Sequence, residues 1–382
     1  MNELEHRALE ILESLAAQPA APFFEDKPAQ FILDTLARLE GVDSERDKFG
    51  NIIARFRNLG PDAALRPPIA FVAHMDHPGF EIILDSGRNG IYTARALGGV
   101  PEASLRKPVP VLVLTPDGER LPATLEPMDQ SSAAKGDRIV GVRMQAEAEF
   151  PLPAAVIFDL PDFSRDGDTI HMRAADDLGG CASILAALER LVTDEAETDF
   201  YVVFTRAEEG GLFGARLMAE AGTLPRDTLV VSVETSSIIP GVTQGEGPII
   251  RTGDRAYTFD SDAEQVFHVA RDAILKHDPD FKTQRHLMSA GGCEATAFAV
   301  FDYTVTGLAY PLGNWHNATT SIPDPEGGVD CENISLSDYL NGVELIAEAA
   351  ISVAQRHNSA TRKLIRDIPQ DIRERLMGSA GR

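Results

Sequence analysis

The chain of 382 residues has little cysteine, no long apolar run and a shortage of basic residues. Its three cysteines, Cys181, Cys293 and Cys331, form no CxxC pair, so neither a disulfide framework nor a cysteine zinc site is expected. No apolar run approaches the ~20 residues needed to cross a bilayer, and the charged, amphipathic N-terminus lacks the pattern of a signal peptide. These absences predict a cytoplasmic protein without a membrane partner.

The shortage of basic residues argues against a nucleic-acid partner. Lysine and arginine number 35 against 59 acidic residues, giving a formal net charge of −24, which would be repelled by a phosphate backbone. Two common catalytic patterns are also missing from the sequence: GxSxG of serine hydrolases and GxGxxG of dinucleotide-binding enzymes. Because the three cysteines form no CxxC pair, any metal site must be built from His, Asp and Glu.

The order of apolar patterns predicts an α/β protein with an insertion. Helical and strand patterns alternate from residue 171 onward and also occur before residue 77, which predicts a wound mixed sheet with helices on both faces. Between them, residues 78–170 carry short β-rich runs separated by Gly, Pro and Asp, which predict a small inserted β-barrel or sandwich domain. We expect this domain to serve in assembly or as a lid. We expect the main domain to comprise residues 1–77 and 171–382, ending in a basic surface helix after residue 358.

Metal-ligand residue types follow several of the predicted strands. Ligands of open α/β sheets gather at the carboxyl ends of the strands, and one acidic pair precedes a predicted helix, where a carboxylate is favoured. The candidate residues are His74, Asp76, Asp176, Glu208, Glu209, Glu234 and His316. Each has an ordinary structural explanation alone, such as a helix cap or a solvated pair. Together they would place five carboxylates in one pocket, which two divalent cations would neutralise.

The spacing of these residues suggests individual roles. His74 and Asp76 lie on the same side of a strand, because side chains repeat every second residue, so the Asp76 carboxylate could orient the imidazole. Glu208 and Glu209 are adjacent, and the two glycines that follow would let the chain bend and bring both to one site. One of these glutamates could bind metal while the other transfers protons.

The motifs AHMD, AADDLGG, TRAEEGGLFGA, VSVET and AGGCEA, with the later Trp315-His316, resemble those of co-catalytic zinc metallopeptidases. The resemblance covers roughly residues 45–320 and is closest to the tetrahedral (deblocking or glutamyl) aminopeptidase family, which carries a β-domain after its HxD motif. It implies a zinc-exopeptidase fold. It also implies two divalent ions per chain, with zinc expected and cobalt or manganese as alternatives, and assembly from a dimer up to a dodecamer.

The resemblance also assigns roles to the candidate residues. His74 and Glu234 would bind one metal, Glu209 and His316 the other, and Asp176 would bridge the two. The catalytic residues would be Glu208, as the general base that deprotonates a metal-bridging water, and Asp76, as the partner of His74.

Some positions depart from the family pattern. His77 replaces the acid after HxD, Leu178 replaces a basic residue, and Cys293-Glu294 replace Thr-Asp. Glu234 stands where the family usually has Asp, which leaves the type of exopeptidase open. The NWHN context makes His77, His171 and His286 competitors of His316.

These observations predict a two-metal aminopeptidase that acts on small free peptides. A carboxypeptidase-type exopeptidase, or an amidohydrolase that deacylates small N-acyl compounds, would use the same metals with a different pocket. The departures from the pattern also leave an inactive scaffold or binding protein as an alternative. A glycosidase could use paired acids, but it would leave the two histidines unexplained.

Overall fold

The computed structural model describes residues 1–60, 67–88, 90–134 and 136–380. The helices are α1 (Glu3–Ala16), α2 (Asp26–Leu36), α3 (Glu102–Arg106), α4 (Ala175–Thr193), α5 (Phe213–Ala221), α6 (Ser261–Ile274), α7 (Glu294–Ala299), α8 (Leu336–Ser352), α9 (Ala360–Arg366) and α10 (Gln370–Ser379). Short 3-10 turns cover Gln130–Ser132, Trp315–Asn317 and Val353–Asn358. No helix in these ranges is long and apolar enough to span a membrane.

The strands form three separate sheets. They are β1 (Val42–Arg46), β2 (Ile52–Asn58), β3 (Ile69–His74), β4 (Gly79–Arg88), β5 (Ile91–Leu97), β6 (Val109–Leu114), β7 (Arg120–Pro127), β8 (Ile139–Met144), β9 (Ala154–Phe158), β10 (Phe163–Asp166), β11 (Thr169–Met172), β12 (Thr198–Thr205), β13 (Leu229–Ser237), β14 (Ile249–Arg251), β15 (Gln284–His286), β16 (Thr304–Leu312) and β17 (Glu332–Ser335).

The main sheet has eight strands in the order β1-β2-β12-β3-β13-β16-β14-β15. Its centre, β12-β3-β13-β16, is parallel. The pairs β1–β2, β2–β12 and β14–β16 are antiparallel, and β14–β15 is parallel. One face packs against α1, α4, α6 and α8 in the largest apolar core, and the other packs against α5 and α7. The predicted wound mixed sheet with helices on both faces is confirmed. Because the central strands are parallel, their carboxyl ends meet at one edge.

The predicted inserted barrel is also present. Strands β4 to β9 close into a six-stranded barrel in the order β4-β5-β8-β7-β6-β9, filled by its own apolar cluster. The next two strands, β10 and β11, leave the barrel and pair with β17 in a three-stranded sheet. The division into domains at residues 78 and 170 stays a prediction, with β10 and part of β11 lying inside that range but outside the barrel.

Candidate metal centre

The seven candidate residues converge at the carboxyl edge of the main sheet. His74 ends β3, Glu208 and Glu209 follow β12, and Glu234 lies in β13. The side chains of His74, Asp176, Glu208, Glu209, Glu234 and His316 line one pocket, and Asp76 lies directly beneath it. The strand ends that the sequence analysis selected are therefore neighbours in space.

Two groups of potential ligands share one carboxylate. Ligand atoms of His74, Asp176 and Glu234 lie within 4.8 Å of one another, and so do those of Asp176, Glu209 and His316. His74 Nε2 lies 3.3 Å from Asp176 Oδ1, and His316 Nε2 lies 3.6 Å from Asp176 Oδ2. The two oxygens of Asp176 thus face different histidines, as a bridging carboxylate would. Glu208 also forms a third group, with His74 and Glu209.

The pocket contains buried polar atoms that the protein does not satisfy. Asp176 Oδ1 and Glu234 Oε1 are buried, and neither has a hydrogen-bond partner. An orphaned buried carboxylate oxygen costs free energy unless a cation or a donor satisfies it. The donors around them are imidazole nitrogen and carboxylate oxygen, which suit zinc and other divalent metals. The residues present therefore fit a pair of divalent cations.

The pKa shifts of the pocket side chains also indicate a site for cations. Burial raises the pKa of Glu208 well above its usual value, and the neighbouring charge of Glu209 adds to this effect. Burial and the charges of Glu294 and Glu208 likewise raise the pKa of Glu234. Burial lowers the pKa of His316, but Glu209 and Asp176 outweigh it and bring the pKa to about 9. Closely packed acidic side chains raise the pKa values of neighbouring carboxyl and imidazole groups, and divalent cations bound among them would oppose this effect.

The Asp76 carboxylate holds the turn after β12 that presents Glu208 and Glu209, a contact that the sequence analysis did not predict. The Asp76 carboxylate accepts hydrogen bonds from the backbone N–H groups of Glu208, at 3.0 Å, and of Glu209, at 3.1 Å. Gly211, with φ of 131°, donates its N–H to the carbonyl of Glu208 at 2.8 Å and closes the turn. A residue with a side chain rarely adopts this φ, so the bend expected from the two glycines is present.

The contact between His74 and the Asp76 carboxylate is longer than a direct hydrogen bond. His74 Nδ1 donates to the backbone carbonyl of Asp76 at 3.0 Å, whereas the nearest carboxylate oxygen lies 3.6 Å away. The carboxylate is turned toward the two N–H groups of the glutamate turn, which are strong competing donors. Asp76 therefore orients His74 mainly through its main chain and the glutamate turn through its side chain.

Asp176 and Asp177, the acidic pair at the start of α4, make different contacts. Asp177 Oδ1 accepts from the N–H of Gly180 at 3.1 Å, which is the helix-capping role that a structural interpretation of the pair would give. Asp176 instead faces the pocket and accepts a hydrogen bond from Trp315 Nε1 at 3.1 Å. Only one member of the pair is available as a ligand.

Glu332 is a site residue that the sequence analysis missed. Its fully buried carboxylate accepts the backbone N–H of Asp176 at 2.9 Å and that of His316 at 2.8 Å. It therefore fixes the backbone at two of the potential ligands. The sequence gives no distinguishing signal for Glu332, because its carboxylate accepts hydrogen bonds from backbone N–H groups that lie elsewhere in the sequence.

The barrel also contributes to the site. His316 Nδ1 donates to the carbonyl of Gly99, 3.0 Å away in the loop after β5, which leaves Nε2 facing Glu209 Oε1 at 3.1 Å. A Cβ atom at Gly98 would lie 3.0 Å from Glu209 Cβ, and one at Gly99 would lie 2.4 Å from His316 Nδ1. These two glycines allow the barrel to approach both side chains closely.

The positions that depart from the family pattern are buried and have partners of their own. His77 contacts the carbonyl of Asp176 through Nδ1 and the Asn317 side chain through Nε2, and burial lowers its pKa. Leu178 belongs to the largest apolar core. Glu294 accepts hydrogen bonds from Thr205 and Ser232 behind the pocket, at 3.1 and 2.9 Å. Among the residues described, none of the three competing histidines, His77, His171 and His286, is in a ligand group.

The lining of the pocket also includes two arginines, Arg251 and Arg255. Arg251 ends β14 and is buried, yet its Nε and Nη1 atoms have no hydrogen-bond partner. Gly307 of the paired strand β16 leaves the space it occupies, since a Cβ there would lie 3.2 Å from Arg251 Cβ. A buried guanidinium with two unpartnered nitrogens beside an open pocket is suited to binding an anionic group.

Comparisons with known proteins agree with this geometry. The profile of the M42 glutamyl aminopeptidase family matches residues 151–324, a range that includes all the candidate ligands except His74. A proposed aminopeptidase of Acetivibrio thermocellus is 26% identical over 313 residues, covering 79% of this chain and 86% of that protein. The lysyl aminopeptidase of Pyrococcus furiosus is 26% identical over 267 residues, covering 64% of this chain and 73% of that protein.

Solved structures share the fold over at least 90% of the chain. The TET1 peptidase of Pyrococcus horikoshii superposes with a TM-score of 0.70 at 23% identity, covering 90% of this chain and 99% of that one. An aminopeptidase of the archaeon Desulfurococcus kamchatkensis gives a TM-score of 0.73 at 21% identity, covering 94% and 99%. The family match, the relatives and the shared fold together identify the chain as a metal-dependent hydrolase, a metallo-aminopeptidase, which is similar to the M42 glutamyl aminopeptidase family over residues 151–324.

Proposed function

We propose that this aminopeptidase removes acidic residues from the free N-termini of small peptides, using two divalent cations, with zinc as the expected metal. The observation that carries the proposal is the pair of ligand groups sharing Asp176, next to an unpartnered Arg251. His74 and Glu234 would complete one cation site, and Glu209 and His316 the other. A cytoplasmic location stays a prediction.

Each residue of the site then has a distinct role. A bound cation pair polarises a peptide carbonyl and lowers the pKa of water. Glu208 is not required by either of the two groups that share Asp176, and its raised pKa suits a group that accepts a proton from the attacking water and returns it to the leaving amine. Asp76 and Glu332 hold the backbone at Glu208, Glu209, Asp176 and His316 through the hydrogen bonds described above.

The arginines favour an acidic substrate side chain over a basic one. Arg251 and Arg255 would repel the lysine that the Pyrococcus furiosus relative is named for, whereas a side-chain carboxylate would satisfy the free donors of Arg251. A carboxypeptidase would use the same guanidinium for the C-terminal carboxylate of its substrate. The family match favours the aminopeptidase.

A substrate panel separates these possibilities. Glu-, Leu- and Lys-initiated tripeptides should be offered to the metal-loaded protein in three forms: free, C-terminally amidated and N-acetylated. We expect release of the first residue, fastest for Glu, with little loss on amidation and near-complete loss on acetylation. Release of the last residue, with loss on amidation, would instead indicate a carboxypeptidase. Removal of the acetyl group alone would indicate a deacylase.

We also propose that the chain self-associates. The Pyrococcus horikoshii peptidase of the same fold is described as assembling into a tetrahedron or a large octahedral shell. Light scattering of the purified full chain over a concentration series tests this, and a monomer at every concentration would contradict it.

A further inference from the structure

We propose that the last two helices form an assembly arm that docks onto a second copy of this chain. The C-terminal arm, residues 359–380, consists of α9 and α10, and neither helix contains a buried residue. Its large apolar side chains are unusually exposed: Leu364 by 76%, Ile365 by 71%, Ile368 by 49%, Ile372 by 41%, Leu376 by 65% and Met377 by 73%. This inference rests on the proposed self-association and not on the proposed substrate.

The arm lacks the contacts that normally stabilise short helices. Isolated helices of 7 and 10 residues are marginal in water, and tertiary packing of an apolar face usually supplies their stability. The start of the arm is tied to α6, by Ser359 Oγ donating to Gln265 at 2.6 Å and by an ion pair between Arg362 and Asp262. Within the described ranges, the side-chain hydrogen bonds and ion pairs of residues 367–380 stay inside the arm. Its exposed apolar side chains are therefore available to pack against a partner.

Charge indicates what that partner is. Five of the 35 basic residues but only three of the 59 acidic residues lie in the arm, so the arm carries +2 and the rest of the chain −26. A second copy presents that acidic body to a basic, apolar arm, which gives complementary charge as well as apolar burial. An anionic membrane would attract the arm but repel the body. The observations therefore favour self-association.

The experiment uses the full chain with the apolar face of the arm replaced. A variant with Leu364→Ser, Ile365→Ser, Leu376→Ser and Met377→Ser should need at least about tenfold more protein to reach the associated state, because the buried apolar area is lost. Light scattering over a concentration series measures this. Its melting temperature at low concentration should stay close to that of the wild type, since these side chains are largely exposed in the monomer.

The matched control removes exposed apolar side chains outside the arm. Leu4→Ser with Val300→Ser changes positions that are 44% and 49% exposed, in α1 and after α7, and it should leave the association unchanged. A charge variant, Arg373→Glu with Arg375→Glu, should also weaken association, and added salt should weaken the wild type in the same direction.

Three results would overturn the proposal: equal masses for the wild type and the four-serine variant, a wild type that is monomeric throughout, or weakening by the control alone. Co-sedimentation of the wild type, but not of the four-serine variant, with phosphatidylserine-containing vesicles and no change in mass would assign the arm to a membrane instead. Peptide hydrolysis is measured separately, so its failure would remove the proposed substrate while leaving the arm intact.

Discussion

His316 donates a hydrogen bond from Nδ1 to the carbonyl of Gly99, so the barrel orients a side chain of the metal-ligand cluster. The carbonyl keeps a proton on Nδ1 and fixes the ring orientation, so that Nε2 faces Glu209 and Asp176. The barrel of this chain is therefore part of the site's architecture, whatever its role in assembly.

Replacing Gly99 with alanine should disturb this contact without straining the backbone. The φ angle of Gly99 is not positive, but the new Cβ would lie 2.4 Å from His316 Nδ1, so the imidazole must move. Loss of such an orienting partner typically weakens metal binding by about 10- to 100-fold. Calorimetric titration of the chelated protein with zinc measures the change, and we expect it in one of the two sites.

Gly141→Ala is the matched control, because it lies in barrel strand β8 and its Cβ would meet Ile91 Cγ2 at an ordinary 3.4 Å. It should bind zinc as the wild type does. Unchanged zinc affinity in Gly99→Ala would show that the Gly99 carbonyl has no orienting role.

The sequence predicted the side chains at the strand ends because parallel strands place their carboxyl ends at one edge. His74, Glu208, Glu209 and Glu234 each follow or end a recognisable apolar run, so their meeting follows from the fold class alone. The sheet and the barrel were predictable because the periodicity of apolar residues indicates where strands and helices lie.

The supporting contacts could not be predicted in this way. Glu332 and Gly99 act through hydrogen bonds that involve backbone atoms, which leave no periodic signal and depend on how the barrel and the small sheet settle against the main sheet. The hydrogen bonds of the Asp76 carboxylate to the glutamate turn were not predicted for a related reason. Strand periodicity identified its neighbour His74 but could not show that two N–H groups from a distant turn would reach the same carboxylate.

Arg251 should determine the preference for acidic substrates. Arg251→Gln removes the charge while keeping a polar side chain, and we expect kcat/KM for Glu-initiated peptides to fall about 10- to 100-fold, the range for a hydrogen bond to a charged group. Leu-initiated peptides should change by no more than about threefold. Steady-state kinetics on the two series measures the ratio.

Arg255→Gln provides the comparison within the same pocket, because Arg255 is exposed and solvent screens its charge. Its effect on the ratio should be smaller. An equal loss for Glu- and Leu-initiated peptides in Arg251→Gln would mean that Arg251 supports the pocket structure and does not select the substrate.

Asp338 should make stability depend on pH. Its buried carboxylate accepts the N–H groups of Gly245 and Gly247, in the segment leading to the strand of Arg251, and burial raises its pKa to about 6. The unfolded pKa is about 3.9, so the folded protein holds the proton more tightly. The stability that this group contributes is present below about pH 4 and is lost as pH rises through 6.

The difference in free energy of unfolding between wild type and Asp338→Asn should therefore shift by about 2 kcal/mol against the wild type from pH 4 to pH 7. Reversible urea unfolding of the chelated protein at several pH values measures it. Asp194→Asn, whose parent side chain is 56% exposed, is the control and should show a much smaller shift. A pH-independent difference for Asp338→Asn would contradict the expectation.

Glu208 and Glu209 provide the sharpest test, because adjacent residues of one type are proposed to do different work. If Glu208 transfers protons, Glu208→Gln should fold normally, bind both cations and lose turnover by about 10² to 10⁴ at every zinc concentration. If Glu209 is a ligand, Glu209→Gln should weaken one cation selectively, since a neutral amide binds a dication less well than a carboxylate. Its turnover should then recover in part at high zinc. Metal content and peptide turnover measured together across a zinc titration distinguish the two variants. Exchanged behaviour would exchange the two roles, and near-normal turnover in both would remove the proposed mechanism.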